Sequence, residues 1–175
     1  SAISGFPIRF VGYAFVDDTD IIQTARTPQE PISEVINQMQ QGMDMWEGLV
    51  SSTGGALSVE KCCWWAIDFS WLPNGGWKYR PADELDGVLR ANDFDSTRKI
   101  IRRLDVSEAF ETLGIFLAPD GNETAQFKKM LQKAKEWASN IKSSFLRHRE
   151  TSMALKTTIL KTLEYPLLTT NLSPS

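Results

Sequence analysis

The sequence predicts an α+β fold, and three features of its patterning carry that prediction. The first 118 residues contain aromatic and β-branched runs separated by strong turn signals, which is typical of short strands. One segment among them has apolar residues at three- and four-residue steps, the spacing of an amphipathic helix. After Pro119 only the helical spacing remains. We therefore expect an antiparallel sheet with a packed helix over residues 1–118, followed by a small helical subdomain over 119–175.

The first predicted element is a β-hairpin that contains two adjacent acids. The β-prone runs 6–16 and 19–24 are separated by Asp17 and Asp18, so the acids are expected at or beside the turn. Asp is common in turns, and a polar turn is the simpler interpretation of the dipeptide alone. Paired carboxylates also suit divalent cations, because hard ions prefer oxygen ligands. Both interpretations stay open at this point.

Periodicity and turn residues predict the remaining elements of the first part. A helix is expected from an N-cap at Ser33 to a stop at Gly54 and Gly55. The turn at 73–76 is expected to join two strands into a hairpin rich in tryptophan. Further structure is expected as strands at 61–71, 77–80, 97–104 and 111–117, with an acidic surface loop at 81–96.

The second part is predicted to contain two amphipathic helices after the turn at 119–122. The second helix is expected over about 152–164, with Pro166 stopping or kinking it. Its inward residues are expected to be Leu155, Ile159, Leu160 and Leu163. The first helix has an apolar stripe that is expected to face the core, formed by Phe127, Met130, Leu131, Ala134, Trp137, Ala138, Ile141 and Phe145.

Composition limits the classes of protein that fit this sequence. Hydrophobic residues make up 42% and charged residues 23% of the chain, as in ordinary globular proteins. No apolar run reaches the roughly 18 residues that a membrane span needs. Cys62 and Cys63 are adjacent, and the chain has a single histidine, so zinc-site spacing is absent from the sequence. We interpret the two cysteines as reduced thiols in the core.

Charge is distributed unevenly along the chain. Residues 1–96 carry 6 Lys and Arg against 14 Asp and Glu, whereas residues 97–175 carry 13 against 8. An acidic part suits cations, and a basic part suits phosphates. Solvated surfaces explain the same two balances equally well, and that alternative stays open.

Four motifs, in one order, resemble those of reverse transcriptases of eukaryotic retroelements. The run Tyr13–Asp18 resembles the aromatic-x-Asp-Asp hairpin, with Phe15 where the family usually has Tyr. An amphipathic helix then leads to Gly54–Lys61, which is similar to a family element that contains a Gly and a Lys. The run Glu111–Ile115 resembles the Leu-Gly primer-grip hairpin. The basic helices follow where the family has its thumb.

The resemblance implies a fold and a set of site residues. Residues 1–118 would form the C-terminal part of a polymerase palm, and residues 119–175 a thumb. Asp17 and Asp18 match the catalytic carboxylates that hold Mg²⁺ or Mn²⁺ in a two-metal site, and Lys61 matches a lysine that approaches the triphosphate. The residues implied to contact nucleic acid are Phe15, Leu113, Gly114, Lys128, Lys129, Lys133, Lys135, Lys142 and Arg147.

The resemblance also implies a reaction and partners. The reaction would be RNA-directed DNA synthesis, in which a primer 3′-hydroxyl attacks the α-phosphate of a deoxynucleotide with metal assistance. The implied partners are a primer–template duplex and the remaining palm and fingers of the polymerase. The implied location is the nucleus or cytoplasm.

The sequence departs from the family pattern in one respect that limits its activity. The family has a further catalytic Asp upstream of the hairpin, and residues 1–16 contain no Asp. Asp20 lies close enough to add a carboxylate but occupies no family position. Because the chain also starts without Met, we expect a fragment that is inactive alone.

Two other interpretations stay open. One is a domesticated, non-catalytic remnant that acts as a structural or binding subunit of an assembly. Its partner would dock on the tryptophan-rich hairpin, expected to contain Trp64, Trp65, Trp71 and Trp77. The other is an unrelated α+β interaction domain in which the motifs occur by chance.

Overall fold

The fold is α+β, as the sequence predicts, and it is known from a computed structural model that describes residues 11–15, 18–167 and 170. The chain forms two compact units, residues 1–106 and 107–175. Strands and at least one long helix occur in each of them. Each unit therefore has its own mixture of helix and sheet.

The first unit contains one long helix and eight short strands among its described residues. In chain order these are β1 (Val11–Phe15), β2 (Asp18–Ile22), α1 (Ile32–Ser52), β3 (Cys63–Trp65), β4 (Phe69–Trp71), β5 (Trp77–Tyr79), β6 (Arg90–Asn92), β7 (Arg98–Ile100) and β8 (Arg102–Leu104). Strands β1–β2, β4–β5 and β6–β7 pair antiparallel, whereas β3 and β8 pair parallel. The expected single antiparallel sheet is thus found as separate two-stranded pieces, one of them parallel.

The predicted end of helix α1 is confirmed, whereas its predicted start is wrong. The helix begins at Ile32 after Pro31, so the prediction of Ser33 as the N-cap was wrong. The fixed φ of proline and its carbonyl, which accepts the N–H of Glu34 at 2.9 Å, start the first turn instead. At the other end, the Gly54 N–H donates to Ser51 O and the Gly55 N–H to Val50 O, both at 3.0 Å. This Schellman-type ending confirms the predicted stop.

The segment predicted as a surface loop, residues 81–96, instead contributes to the core. Leu85, Leu89 and Ala91 are all buried, and they join Ile36 and Trp64 in one apolar cluster. The segment also contains a 3₁₀ turn at Ala82–Glu84 and strand β6. Leu85 and Leu89 enter the core from irregular backbone and Ala91 from a three-residue strand, so together they follow neither the helical nor the strand period. The acidic residues between them gave the segment the composition of a loop.

Two predicted strands are each divided in the structure. The segment 61–71 becomes the end of a 3₁₀ turn at Val59–Lys61 and then the separate strands β3 and β4. The segment 97–104 becomes β7 and β8. The division falls at Ile101, which is buried and whose N–H donates to Leu89 O at 2.8 Å. The chain exchanges one strand partner, β6, for another, β3, at this residue.

The second unit combines a hairpin with helices. Its elements are β9 (Phe110–Thr112), β10 (Ile115–Leu117), α2 (Thr124–Ser143), α3 (His148–Ala154) and α4 (Leu160–Leu167), and a π-helical segment, Leu155–Ile159, connects α3 to α4. Strands β9 and β10 pair antiparallel. Gln126 Oε1 accepts the Phe116 N–H at 2.8 Å, which fixes the hairpin to α2. The hairpin therefore belongs to the same compact unit as the helices, while a palm–thumb boundary at 118–119 stays a prediction.

The apolar faces of these helices are less buried than the sequence predicts. On α2, Met130 is buried, but Phe127 and Leu131 from the expected stripe are exposed, and so is Phe145, which lies past the end of the helix. After α2, Ile159 is buried, whereas Leu155 and Leu160 are exposed.

The last helical region also has different limits from those predicted. It begins at His148 rather than near residue 152, and α4 includes Pro166 in its final turn. Pro166 has no N–H to donate back along the helix, and α4 ends one residue later. No helix in the described part of the chain is long and apolar enough to cross a membrane.

Candidate functional site

The structure places Asp18 at the start of a β-hairpin strand. The register pairs Phe15 with Asp18, so residues 16 and 17 connect β1 to β2. This confirms the predicted hairpin with an acid beside its turn. The other predicted carboxylate, Asp17, lies outside the described residues, and its role stays a prediction.

A second carboxylate lies on the same face of this hairpin. Asp18 and Asp20 are both exposed, and as next-but-one residues of β2 they point to the same side, roughly 6–7 Å apart along the strand. Tyr13, which is 64% exposed, is the direct cross-strand neighbour of Asp20. Asp20 is therefore a carboxylate for this face that no family motif assigns.

The hairpin offers oxygen ligands of the type that Mg²⁺ prefers. Mg²⁺ is commonly held by one or two carboxylates together with waters and substrate phosphates. The exposed carboxylates of Asp18 and Asp20 fit that requirement in chemistry and in accessibility. Among residues 11–15, 18–167 and 170, no group of three or more His, Cys, Asp or Glu side chains could hold a metal ion.

A polar network connects the end of this hairpin to α1. Gln23 Nε2 donates to Gln38 Oε1 at 3.1 Å, and Gln38 Nε2 donates to Glu30 Oε1 at 2.6 Å. Gln38 is buried, so these bonds satisfy an amide that has little contact with water. The backbone N–H of Arg26 donates to Glu30 and lowers the pKa of its carboxyl. These hydrogen bonds hold the segment that follows β2 against α1.

Lys61 is placed differently from its prediction, at the end of a 3₁₀ turn rather than in a strand. Its side chain is exposed and has no ion pair with a described residue. Two residues later, burial raises the pKa of the Cys63 thiol to about 11, and Cys62 and the carboxylate of Asp20 add to the rise. Both cysteines are free thiols.

The predicted primer-grip residues form a tight turn. Leu113 and Gly114 connect β9 to β10 with φ values of +49° and +81°, as in a type I′ hairpin. The left-handed conformation is unfavourable for leucine. The side chain of Leu113 is also 44% exposed. Lys129 fixes this turn, since its ammonium donates to the Gly114 carbonyl at 3.0 Å and pairs with Glu111.

The structure separates the predicted basic residues of α2 into distinct groups. Lys128, Lys135 and Lys142 recur every seven residues, so they share one face of the helix, here named the lysine stripe. All three are exposed, and none has an ion pair with a described residue. Lys129 and Lys133 lie on another face, where Lys129 is already occupied by Glu111.

Arg147 belongs to neither group. It precedes α3, and its backbone N–H donates to Glu150 at 2.8 Å, so it helps to begin that helix. Its side chain is exposed. The basic residues of 97–104 are mostly occupied within the first unit, because Arg98 pairs with Asp44 at 2.8 Å and Lys99 pairs with the buried Asp93. These cations support the fold.

A groove between α2 and α4 was not predicted from the sequence. It has a volume of about 310 Å³ and is lined by Lys133, Glu136, Trp137, Asn140 and Thr162. The four α2 residues follow the i, i+3, i+4, i+7 spacing of one helix face, and Thr162 comes from α4. We name it the α2–α4 groove. The apolar stripe predicts Trp137 as a core residue, but the structure leaves it half-buried at the groove. Helical spacing indicates which residues share a face and not how exposed that face is.

The tryptophan-rich surface is smaller than predicted. Trp64 is buried and Trp65 lies beside it on β3, so neither belongs to the hairpin of β4 and β5. On that hairpin, Trp71 and Trp77 are paired across the strands and are 77% and 52% exposed. Phe69 lies beside Trp77 with ring centroids 5.2 Å apart. We name this exposed surface the aromatic face.

Comparison with family models, with curated proteins and with solved structures finds no match to this chain. The functional interpretation therefore rests on the residues and geometry described above.

Proposed function

We propose that this chain is part of an RNA-directed DNA polymerase and is inactive alone. It would supply carboxylates, a primer grip and a thumb to RNA-directed DNA synthesis. The observation that carries the proposal is the hairpin register, which sets an exposed Asp18 opposite Phe15 at the start of β2. Adjacent acids at a tight turn reach one pocket more easily than adjacent acids within a strand, whose side chains alternate between faces.

The carboxylates of Asp17 and Asp18 would hold Mg²⁺ in the complete enzyme. When bound, Mg²⁺ supplies charge stabilisation for the phosphate oxygens of the reacting nucleotide. Asp20 supports this role by adding negative charge on the same face as Asp18. Lys61, exposed and without an ion pair to any described residue, is available to neutralise a phosphate.

The second unit supports the binding part of the proposal. The lysine stripe offers three exposed cations, none of them ion-paired with a described residue, along one side of a 20-residue helix. This pattern suits a phosphate backbone. The turn of Leu113 and Gly114 presents an exposed apolar side chain in a strained backbone conformation. Strain of this kind is often retained where a contact requires it.

A salt titration of duplex binding tests this function. The chain is mixed with a labelled primer–template duplex, and the dissociation constant is measured over a range of salt concentrations, with and without Mg²⁺. We expect log K to fall linearly with log salt because bound lysines release counterions. Changing Lys128, Lys135 and Lys142 together to Gln is expected to lower that slope by about 1 for each lysine.

The control for that titration is Lys78→Gln, which removes an exposed lysine from the first unit. It is expected to leave the slope unchanged. In the Mg²⁺ experiment, the metal is expected to raise affinity for the wild-type chain but not for a variant carrying Asp17→Asn and Asp18→Asn. Absence of duplex binding at low salt would refute the proposal.

The aromatic face favours a second candidate, the non-catalytic subunit of an assembly. Trp71 and Trp77 are large, exposed and adjacent, which is typical of residues that dock on a protein partner. The same Mg²⁺ experiment separates the two candidates. A duplex affinity that does not change with Mg²⁺, and does not change when Asp17 and Asp18 are substituted, favours the non-catalytic subunit over the polymerase.

A further inference from the structure

The turn between β9 and β10 is held from two sides by the helices of its own unit. The Gly114 carbonyl accepts a hydrogen bond from the Lys129 ammonium of α2 at 3.0 Å. The Leu113 carbonyl accepts one from the Tyr165 hydroxyl of α4 at 3.3 Å. The central carbonyls of a two-residue hairpin turn take no part in the strand ladder, because the flanking residues make its hydrogen bonds. Each turn residue is therefore connected to a different helix.

Lys129 contacts three parts of the hairpin at once. Besides Gly114 in the turn, its ammonium pairs with Glu111 in β9 and lies 5.2 Å from the centre of the Phe116 ring in β10. Glu111 and Phe116 are direct cross-strand partners, so their side chains share one face of the hairpin. The side chain of Lys129 is only 22% exposed, and Glu111 already compensates its charge. Lys129 is therefore better placed to hold the hairpin than to contact a phosphate.

The backbone conformation at this turn is unfavourable for the residue that adopts it. Leu113 has a φ of +49°, a left-handed conformation in which Cβ lies too close to the following carbonyl oxygen. Its side chain is 44% exposed, so it gains little from burial within the described part of the chain. The turn thus presents an apolar side chain to solvent in a conformation that contacts from α2 and α4 hold.

We infer that Lys129 and Tyr165 are positioning residues, which hold Leu113 where its side chain contacts the sugars of a primer strand. This role rests on the proposed function, in which Leu113 belongs to the primer grip, and extends it to two residues outside the turn. It replaces the nucleic-acid contact that the family resemblance implies for Lys129. An apolar contact with sugars carries no sequence information, so it suits a polymerase that extends any primer.

The role of Lys129 predicts that two neighbouring lysines differ in their salt dependence. Lys128 belongs to the lysine stripe, so Lys128→Met should lower the slope of log K against log salt by about 1. Lys129→Met should instead weaken duplex binding about fivefold at each salt concentration and leave the slope unchanged, because no phosphate contact is lost. Both variants are compared with a Glu111→Gln chain, in which the loss of Lys129 leaves no carboxylate unpaired. Tyr165→Phe, which removes only the hydroxyl, should weaken binding about twofold without changing the slope.

The effect of Lys129 on duplex binding should require Leu113. Leu113→Ala removes the apolar contact and should weaken binding about fivefold. Because Lys129 acts through Leu113, adding Lys129→Met to Leu113→Ala should cause no further loss of affinity. Lys129→Arg keeps a cationic donor at this position and should recover most of the wild-type affinity. A merely structural lysine would show neither this dependence on Leu113 nor this recovery at constant slope.

Nuclear magnetic resonance of the free chain gives a measurement that does not depend on nucleic acid. The Cα chemical shift and the coupling between the amide and α protons of Leu113 report its φ. When Lys129→Met and Tyr165→Phe are combined, we expect both signals to move away from their left-handed values, because the strained conformation loses the contacts that hold it. Unchanged amide signals of Phe116 and Met130 show that the hairpin and α2 remain folded.

Three results would overturn the inference. A slope lowered by about 1 in Lys129→Met makes this lysine a phosphate contact. A further loss when Lys129→Met is added to Leu113→Ala means that Lys129 acts independently of Leu113. Unchanged Leu113 signals in the combined Lys129 and Tyr165 variant mean that these residues do not hold the turn. Absence of duplex binding by the wild-type chain refutes the proposed function and the primer contact, whereas the signals of the free chain still decide whether the turn is held.

Discussion

Leu113 is the residue whose conformation and chemistry disagree most clearly. Its φ of +49° is a left-handed conformation that costs an L-residue roughly 1–2 kcal/mol, and asparagine tolerates it better. We expect Leu113→Asn to raise the free energy of unfolding by about 1 kcal/mol, measured by chemical denaturation. If the exposed leucine also contacts a primer, the same variant weakens duplex binding while it gains stability.

The control for Leu113 is a second exposed leucine of the same hairpin. Leu117 lies in β10 and is 47% exposed, but its backbone is extended and unstrained. Leu117→Asn should therefore lower stability slightly, because asparagine fits a strand less well than leucine. An equal loss of unfolding free energy in Leu113→Asn and Leu117→Asn would contradict the idea that strain is stored at Leu113.

At the scale of elements, one buried carboxylate organises the β6–β7 hairpin. Asp93 accepts the Val59 N–H at 3.2 Å and the Phe94 N–H at 3.0 Å, and it pairs with Lys99. The hydrogen bond from Lys99 lowers the pKa of Asp93 more than any other contact. Three separate stretches of the chain are thereby connected through a single side chain.

This lowered pKa predicts how stability depends on pH. Because the pKa of Asp93 is lower in the folded than in the unfolded chain, its contribution is present above about pH 4 and is lost as pH falls through the folded pKa. Asp93→Asn keeps the N–H acceptor but not the charge. It should be less stable than wild type at neutral pH, and the difference in melting temperature should shrink in acid.

A matched substitution shows whether that effect belongs to the buried site. Asp44 forms an exposed ion pair with Arg98, and exposed pairs contribute little to stability. Melting temperatures of wild type, Asp44→Asn and Asp93→Asn are therefore compared from neutral to acidic pH. A constant gap between wild type and Asp93→Asn in acid would mean that Asp93 acts through packing rather than charge.

Across the whole molecule, the features that the sequence predicted correctly are those set by residues close to one another in the chain. The stop at Gly54 and Gly55 follows from helix-end hydrogen bonds, and the β4–β5 hairpin follows from its turn residues. The parallel pairing of β3 with β8 could not be predicted, because it joins residues some 39 positions apart, such as Cys63 and Arg102, with no local signal.

The candidate site divides in the same way. Asp18 and the lysine stripe were predictable, because a turn and a seven-residue spacing are visible within one segment. The α2–α4 groove depends on Thr162 of a different helix, and the buried donor of Gln126 depends on a contact with Phe116. Such features arise only when secondary-structure elements pack against each other. The helical periodicity of α2 contains no information about that packing, and it therefore predicted Trp137 as a core residue.

The two compact units lead to a last prediction about how stability is distributed over the chain. Gly87 has a φ of +117°, and an added Cβ would lie 3.0 Å from Ile36 Cγ2, a core atom of the first unit. Gly87→Ala should destabilise that unit by roughly 1–3 kcal/mol. Gly48, exposed in α1 with open space around it, is the matched control, and Gly48→Ala should stabilise by roughly 0.5–1 kcal/mol.

Hydrogen exchange of the full chain measures where these opposite effects appear. Each unit has buried residues of its own, such as Leu89 in the first and Met130 in the second. Amide protection should therefore fall with Gly87→Ala and rise with Gly48→Ala within the first unit, and stay constant over 107–167. Protection that changes together in both units would show one cooperative structure rather than two.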